Sequence, residues 1–456
     1  MRAAIACLLF LSGCANLAPD YARPASPVPA SIGGAPTASA LADPPAWREL
    51  IGDIRLRAVV ELTLANNRNL RIAALNVEKA RAQYRITDAD RYPTLDASVG
   101  SSAAKNANTI TRKYSAELGV SYELDFFGRL RNLKDAALES FLASEASGRS
   151  TRISLISEVT DAWLTLASDQ ALLSLARDTL DSRQKTLDLT RKQKDLGYAT
   201  ELALAQQQGL AETARIDVAR YQTLVVQDRN ALILLVGREL PDELLPDGAD
   251  ALSSDANKLI EVPAGLSSDV LLHRPDILSA EHSLKASYAD IGAARAAFFP
   301  SVSLTAQGGT SSSSLAQLFK AGSGAWSFAP QITVPIFNAG SLKASLSSAE
   351  IERDIQVATY EQAVQTAFRE VADALAERER LGERLQAQRT QVDSYRKVLE
   401  LTRAKYAKGY SSTLDVLDAE RTFYGAQQSL IALQLTEQLN RIALFKVLGG
   451  GGAKDD

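Results

Sequence analysis

The residues able to do chemistry are few, and their scarcity limits what chemistry is open. The 456-residue chain has two His, two Cys and one Met, and that Met is the start residue. A His/Cys zinc site and a Cys–His nucleophile pair are both poorly supplied. His273 and His282 read as surface or packing residues. With no motif that carries a mechanism, no metal site, no cofactor and no enzymatic activity are expected. One thiol and one pair of carboxylates stand out by placement. Cys14 follows Leu11-Ser12-Gly13, where an apolar run ends. Asp415 and Asp418 are three apart near the start of a predicted helix, so they share one face about a turn apart. Close carboxylates repel one another and attract cations. Acids at a helix start are also favoured by the helix dipole alone. The elements that hold the pair decide between the two.

The first element is a processing signal. Residues 1–13 carry Arg2, a short apolar core from Ala3 to Leu11, and small residues before a cut site. The tetrad ending in Cys14 resembles the bacterial lipoprotein box, in which the Cys becomes the lipidated first residue. Cys7 is lost with the signal, so the mature chain has no second thiol for a disulfide. A lipid at Cys14 attaches the chain to a membrane without a spanning helix. No later stretch offers about 18 uninterrupted apolar residues. Residues 14–50 read as an extended tether, with Pro19, Pro24, Pro27, Pro29, Pro36, Pro44 and Pro45 among Ala and Ser. The net charge of −4 leaves no basic excess for nucleic acid.

The remainder is one unit written twice. Glu158-Val159-Thr160-Asp161-Ala162 returns as Glu370-Val371-Ala372-Asp373-Ala374. Gly197-Tyr198 returns as Gly409-Tyr410, and Gly128-Arg129-Leu130 as Gly340-Ser341-Leu342, at the same spacing. Such duplication outranks any local motif as an architectural clue. The repeats are expected over 51–240 and 268–449, with a linker over 241–267 and a tail over 450–456. Each should hold a helix (about 56–90, then 268–298), two strands, a Pro-free helix (about 129–195, then 341–408) and a returning helix (about 200–236, then 412–448). A helix of about 67 residues spans on the order of 100 Å, the scale of a coiled coil. Leu172, Leu175, Leu180 and Leu187 recur at three-to-four spacing, as do Val392, Tyr395, Val398 and Leu401. A plain helical hairpin would show the same stripe.

The strands are expected at about 94–104, 114–125, 301–310 and 326–336. Ala116, Leu118, Val120, Tyr122 and Leu124 alternate with Ser115, Glu117, Gly119, Ser121 and Glu123. Trp326, Phe328, Ile332, Val334 and Ile336 face away from Ser327, Gln331 and Thr333. Lengths of about ten residues suit a tilted strand crossing a bilayer, although an ordinary half-buried sheet alternates too. The secretory start and polar joining loops at Lys105–Lys113 and Thr310–Ser323 favour the bilayer. Four strands cannot close, and an open edge in hydrocarbon leaves backbone groups unpaired. Several chains must share a barrel, and three would give about twelve strands.

The stretch from Val262-Pro263-Ala264-Gly265-Leu266 through His273-Arg274-Pro275-Asp276 to Ala297-Phe298-Phe299-Pro300 resembles the TolC-type outer-membrane factors. The nearest branch is the lipoprotein one that includes OprM and NodT-like efflux proteins. Pro19-Asp20-Tyr21-Ala22-Arg23-Pro24 and Phe445-Lys446-Val447-Leu448-Gly449 fit the same branch. The resemblance implies a mainly α fold with a membrane β portion. It implies a homotrimer with a twelve-stranded barrel and a periplasmic helical tunnel. Such a protein is the exit duct of a tripartite pump, partnered by a periplasmic adaptor and an inner-membrane transporter of RND type. A protein-secretion duct and a pore-free, lipid-anchored scaffold are the rival readings.

On that resemblance, Gly197, Tyr198, Gly409 and Tyr410 mark the periplasmic tips that meet the adaptor. Asp415 and Asp418 resemble the acidic constriction of the tunnel, with Leu417 as an apolar constriction beside them. Tyr406 fits a position that helps lock the closed state. Where the family pattern has an Arg two residues past the tip Gly, this chain has Ser411, so its lock must differ. The first repeat has Ala203 and Gln206 where the second has the two acids, so one repeat alone carries the gate.

Overall fold

The structure, a computed structural model, describes residues 16–32, 46–107, 109–252 and 266–451. Cys14 and the signal lie outside the described residues. The described chain is mostly helical and carries one principal sheet.

The expected first helix is two. α2 (Ile54–Asn66) ends at Asn67 and α3 (Arg68–Ala89) begins there. Asn67 is extended, at φ −63° and ψ 132°. Its Oδ1 accepts from the Leu70 amide at 2.9 Å, while its Nδ2 donates to the Leu235 carbonyl at 2.7 Å. The side chain therefore caps the new helix and ties it to a neighbour, which the apolar pattern could not reveal. α1 (Trp47–Leu50) falls within the stretch expected as tether, and Trp47 is fully buried. A large indole finds its place in a core, so the extended arm ends before Trp47. Within that arm a two-residue strand, β1 (Ser31–Ile32), pairs antiparallel with β4 (Leu266–Ser267).

The long helices match expectation. α4 (Arg129–Asp195) and α7 (Ser341–Ala407) each have 67 residues. The returning helices are α5 (Glu201–Val236) and α8 (Thr413–Val447). After α5, α6 (Pro275–Ala296) opens with Pro275 in its first turn, where the missing N–H costs nothing.

The chain divides into two compact units, and neither coincides with a repeat. One draws on residues 1–26, 74–147 and 276–363, the other on 27–73, 148–275 and 364–456. The second unit holds the main core, in which Trp47, Leu56 and Val60 pack with Val159, Trp163, Leu232 and Phe445. The Trp163 indole donates to the Leu244 carbonyl at 3.0 Å. The duplicated Glu-Val-x-Asp-Ala sits here: Val159 and Val371 are fully buried.

Asp161 of that motif is the costly member. Burial pushes its carboxyl up to about 6, against the pull of Lys446. An unfolded Asp titrates near 3.9. Between about pH 4 and 6 the folded chain keeps a proton that the unfolded chain releases, so stability falls as pH rises through that window. Asp161→Asn should therefore raise stability by about 1–3 kcal/mol at pH 7.5. It should also flatten the melting-temperature profile between about pH 4 and 6, read by calorimetry in detergent. An unchanged slope would show that this carboxyl is not the titrating group.

The first unit holds the sheet. β2 (Thr94–Asn106), β3 (Thr109–Leu124), β5 (Ser301–Ser312) and β6 (Gly324–Thr333) run in that order, each antiparallel to the next. The register puts one apolar row across all four: Leu95 opposite Val120, Val120 opposite Ala306, Ala306 opposite Phe328. Ala97, Leu118, Gly308 and Trp326 form the next row. The other face reads Asp96, Gly119, Gln307 and Ser327, beside Ser98 with Glu117. No described residue covers the apolar face: Val99 is 84% exposed and Trp326 83%. The outer edges of β2 and β6 have no strand partner among the described residues.

Two strand boundaries differ from expectation. Lys105 pairs with Ile110 and Asn106 with Thr109, so the ladder runs through most of the stretch expected as the first polar loop. Ala107 takes a left-handed φ of 50°. β6 ends at Thr333, two residues before Pro335. The second loop is the long one, with a 3₁₀ turn at Leu315–Gln317. Gly309 is needed where β3 meets β5: a Cβ there would lie 2.1 Å from the Ala116 carbonyl oxygen.

Candidate functional site

The two helix reversals share one construction. At the first, the Tyr198 amide donates to the Gln193 carbonyl at 2.7 Å and the Gly197 amide to Lys194 at 2.8 Å. At the second, the Tyr410 amide donates to Lys405 and the Gly409 amide to Tyr406, both at 2.9 Å. Gly197 and Gly409 sit at φ 77° and 78°. This is the Schellman ending, whose left-handed residue is favoured as glycine. Each following helix is capped by a hydroxyl. Thr200 accepts from the Ala203 amide at 3.1 Å, and Ser412 from the Asp415 amide at 3.2 Å. Tyr198 and Tyr410 are 84% and 81% exposed, so neither phenol covers its turn.

The second tip differs by its carboxylates. Asp415 Oδ2 accepts from the Ser412 amide at 2.8 Å, from Ser412 Oγ at 2.8 Å and from Ser411 Oγ at 2.9 Å. With the Ser412 side chain on the Asp415 amide, this completes a capping box. Those bonds, the Ser412 backbone first, hold the Asp415 carboxyl below the usual carboxylate range. Ser411, which stands where the family pattern has Arg, thus has a partner within its own turn. Asp418 makes a different bond, accepting from Arg421 at 2.6 Å on an exposed surface. Both acids line one open groove of about 520 Å³ together with Tyr395, Val398 and Thr402 of α7.

Leu417 is 8% exposed in the chain and does not line that groove. Tyr406 is partly exposed, and its hydroxyl accepts from Thr413 Oγ1 at 3.3 Å across the turn.

Pattern reading missed the ties that couple the second hairpin to the first. Tyr424 of α8 donates to Asp217 of α5 at 3.0 Å, and Gln428 donates to Tyr221 at 3.2 Å. Arg183 of α4 lies buried over the Tyr424 ring at 5.3 Å and donates to the Leu210 carbonyl at 2.9 Å. Glu420 pairs with Arg403 at 2.7 Å. The only sequence signal was charge inside otherwise small-residue helices. His282 bonds Glu139 at 2.6 Å, in keeping with a packing role. Among the described residues no group of three or more His, Cys, Asp or Glu is arranged to hold a metal, and no helix is long and apolar enough to cross a membrane.

Comparison with known proteins follows the same lines. Residues 59–238 and 266–450 match the outer membrane efflux protein family. The chain is 46% identical over 462 residues to the probable efflux pump outer membrane protein TtgC of Pseudomonas putida, covering 98% of this chain and 95% of TtgC. It is 44% identical over 452 residues to the cation efflux system protein CusC of Escherichia coli, covering 97% of each. The open-state MtrE outer membrane channel of Neisseria gonorrhoeae superposes with a TM-score of 0.87 at 38% identity, covering 97% of this chain and 99% of that one.

Proposed function

We propose a working arrangement for this chain, which belongs to the outer membrane efflux protein family: three copies form one passive exit duct. The observation that carries the reading is the sheet. It is apolar on one face and polar on the other, and its two outer edges have no strand partner among the described residues. Backbone edges do not stay unpaired in hydrocarbon. Because the four strands alternate in direction, β6 of one copy meets β2 of the next antiparallel, and the ring closes. Three sheets give about twelve strands, enough for an aqueous lumen.

Below the barrel, the paired long helices make a periplasmic tunnel. The tips at Gly197-Tyr198 and Gly409-Tyr410 dock a periplasmic adaptor, offering an exposed phenol on a rigid turn. An inner-membrane transporter, of RND type, drives the flux. Small molecules such as drugs are the cargo, and selection among them is assigned to that transporter. Asp415 and Asp418 ring the tunnel near its end, and Tyr406 with Thr413 stiffens the reversal beside them. Cys14 carries the lipid that holds each chain to the outer membrane.

Native mass spectrometry of the mature protein released from detergent tests the assembly. A trimer with acyl mass on each chain is expected, and Cys14→Ser should lose that mass while keeping the trimer. A monomer that conducts no ions in planar bilayers would overturn the duct and leave a helical scaffold.

A further inference from the structure

The described start of the chain lies along one stripe of α6. The Leu17 carbonyl accepts from Arg295 at 3.3 Å. Ala18 is so close to Gly292 that a Cβ on the glycine would fall 2.8 Å from the Ala18 methyl. Tyr21 meets the edge of Tyr288 at 5.6 Å, with the Lys285 ammonium 5.2 Å from the Tyr21 ring. Residues 295, 292, 288, 285 and 281 are three or four apart, so the arm follows one helix face downward.

Glu281 terminates the stripe. Its side chain is 4% exposed, in a position where an unpaired carboxylate would be costly. Arg23 donates to both its oxygens, at 2.9 and 2.7 Å, Tyr21 donates at 3.1 Å, and Lys285 pairs with it at 3.1 Å. Burial alone would raise this carboxyl; the bonds from Arg23 and Lys285 outweigh burial and hold it below its ordinary range. The planar fork of Arg23 fixes direction as well as contact. Two of these three bonding groups, Arg23 and Tyr21, belong to the arm, so Glu281 is satisfied only when the arm is seated in this register.

The seated arm sets the level of its first described residue. Asn16 lines a cavity with Tyr122, Leu124 and Phe126, at the end of β3. Cys14 comes two residues earlier in the sequence. We propose that Glu281 is the receptor for an amino-terminal clamp, in which Tyr21 and Arg23 lock the arm onto α6 and deliver the lipid of Cys14 to the foot of the sheet. This rests on the lipidation of Cys14 given above. The clamp turns a loose tether into a fixed one, so the acyl chains enter the membrane at the rim of the barrel strands.

Chymotrypsin reads the clamp, because Tyr21-Ala22 is a cleavable bond that a seated Tyr21 withholds. The full mature protein in detergent is digested, and the 14–21 fragment is followed by mass. Wild type should resist. Glu281→Gln and Arg23→Ala should each release the fragment about ten-fold faster or more, the loss expected when a charge-assisted bond is removed. The other cleavage fragments and the single-channel conductance should stay as in wild type, which a general loosening of the fold would not allow. Release no faster than wild type in both variants overturns the clamp. A 14–21 fragment released from either variant without acyl mass overturns the lipidation and with it the positioning role, while the cleavage rates still report the clamp.

Discussion

Arginine in place of Leu118 or Phe328 abolishes trimer insertion into the outer membrane, and arginine in place of Ser121 or Thr305 does not. The four positions lie on the same stretch of sheet, and the register separates them: Leu118 and Phe328 are on the apolar face, Ser121 and Thr305 on the other. A guanidinium on the lipid face near the bilayer midplane costs about 2–4 kcal/mol per chain. Three chains share the barrel, so one assembly carries about 6–12 kcal/mol, comparable with the whole stability of about 5–15 kcal/mol of a folded protein. On the polar face the same group stays in water, and its expected effect is a smaller conductance from added bulk and positive charge. The check is the yield of trimer in isolated outer membranes, followed by bilayer recordings of the variants that insert. Equal yields from all four would mean that the sheet faces water on both sides, and the barrel would be lost with it.

That sidedness was legible in the sequence because strand side chains alternate with period two, and duplication supplied the pattern twice. The 67-residue helices were legible for a similar reason, since absence of Pro and a glycine at each end delimit them. What could not be read depends on partners distant in sequence. Asn67 breaks a continuous helical pattern because its amide finds a carbonyl 168 residues away. Glu281 meets Arg23 across 258 residues, and the Pro-rich arm gave no hint of a fixed register. An aromatic and an arginine inside an Ala, Ser and Pro tether were the available signal. At the tip, spacing placed Asp415 and Asp418 on one face, and the groove they share bears that out. Spacing also counted Leu417 as their neighbour; in the chain it is buried and does not line that groove.

The two carboxylates should separate by experiment into a structural acid and an electrostatic one. Asp415 is saturated by Ser411 and Ser412, so Asp415→Ala removes half of a capping box. The expected result is a weaker helix end in each chain, seen as a looser tip and a higher open probability. Asp418 has only an exposed pair with Arg421, a type of contact worth little to stability. Asp418→Asn should leave the melting temperature unchanged and act on ions instead. Three carboxylates around a narrow tunnel each contribute about 1 kcal/mol to a passing monovalent cation at a few ångströms in water. Removing them should lower cation-over-anion permeability several-fold, read as a shift in reversal potential under a salt gradient. The double variant should show both effects together, because the two acids act through different physics. An unshifted reversal potential in Asp418→Asn and in the double variant would mean that the groove does not face the ion path. The tip acids would then be helix-start residues held by the dipole and the cap. The first repeat shows that the turn itself needs no such acids, since Ala203 occupies the place of Asp415 and the cap from Thr200 still forms.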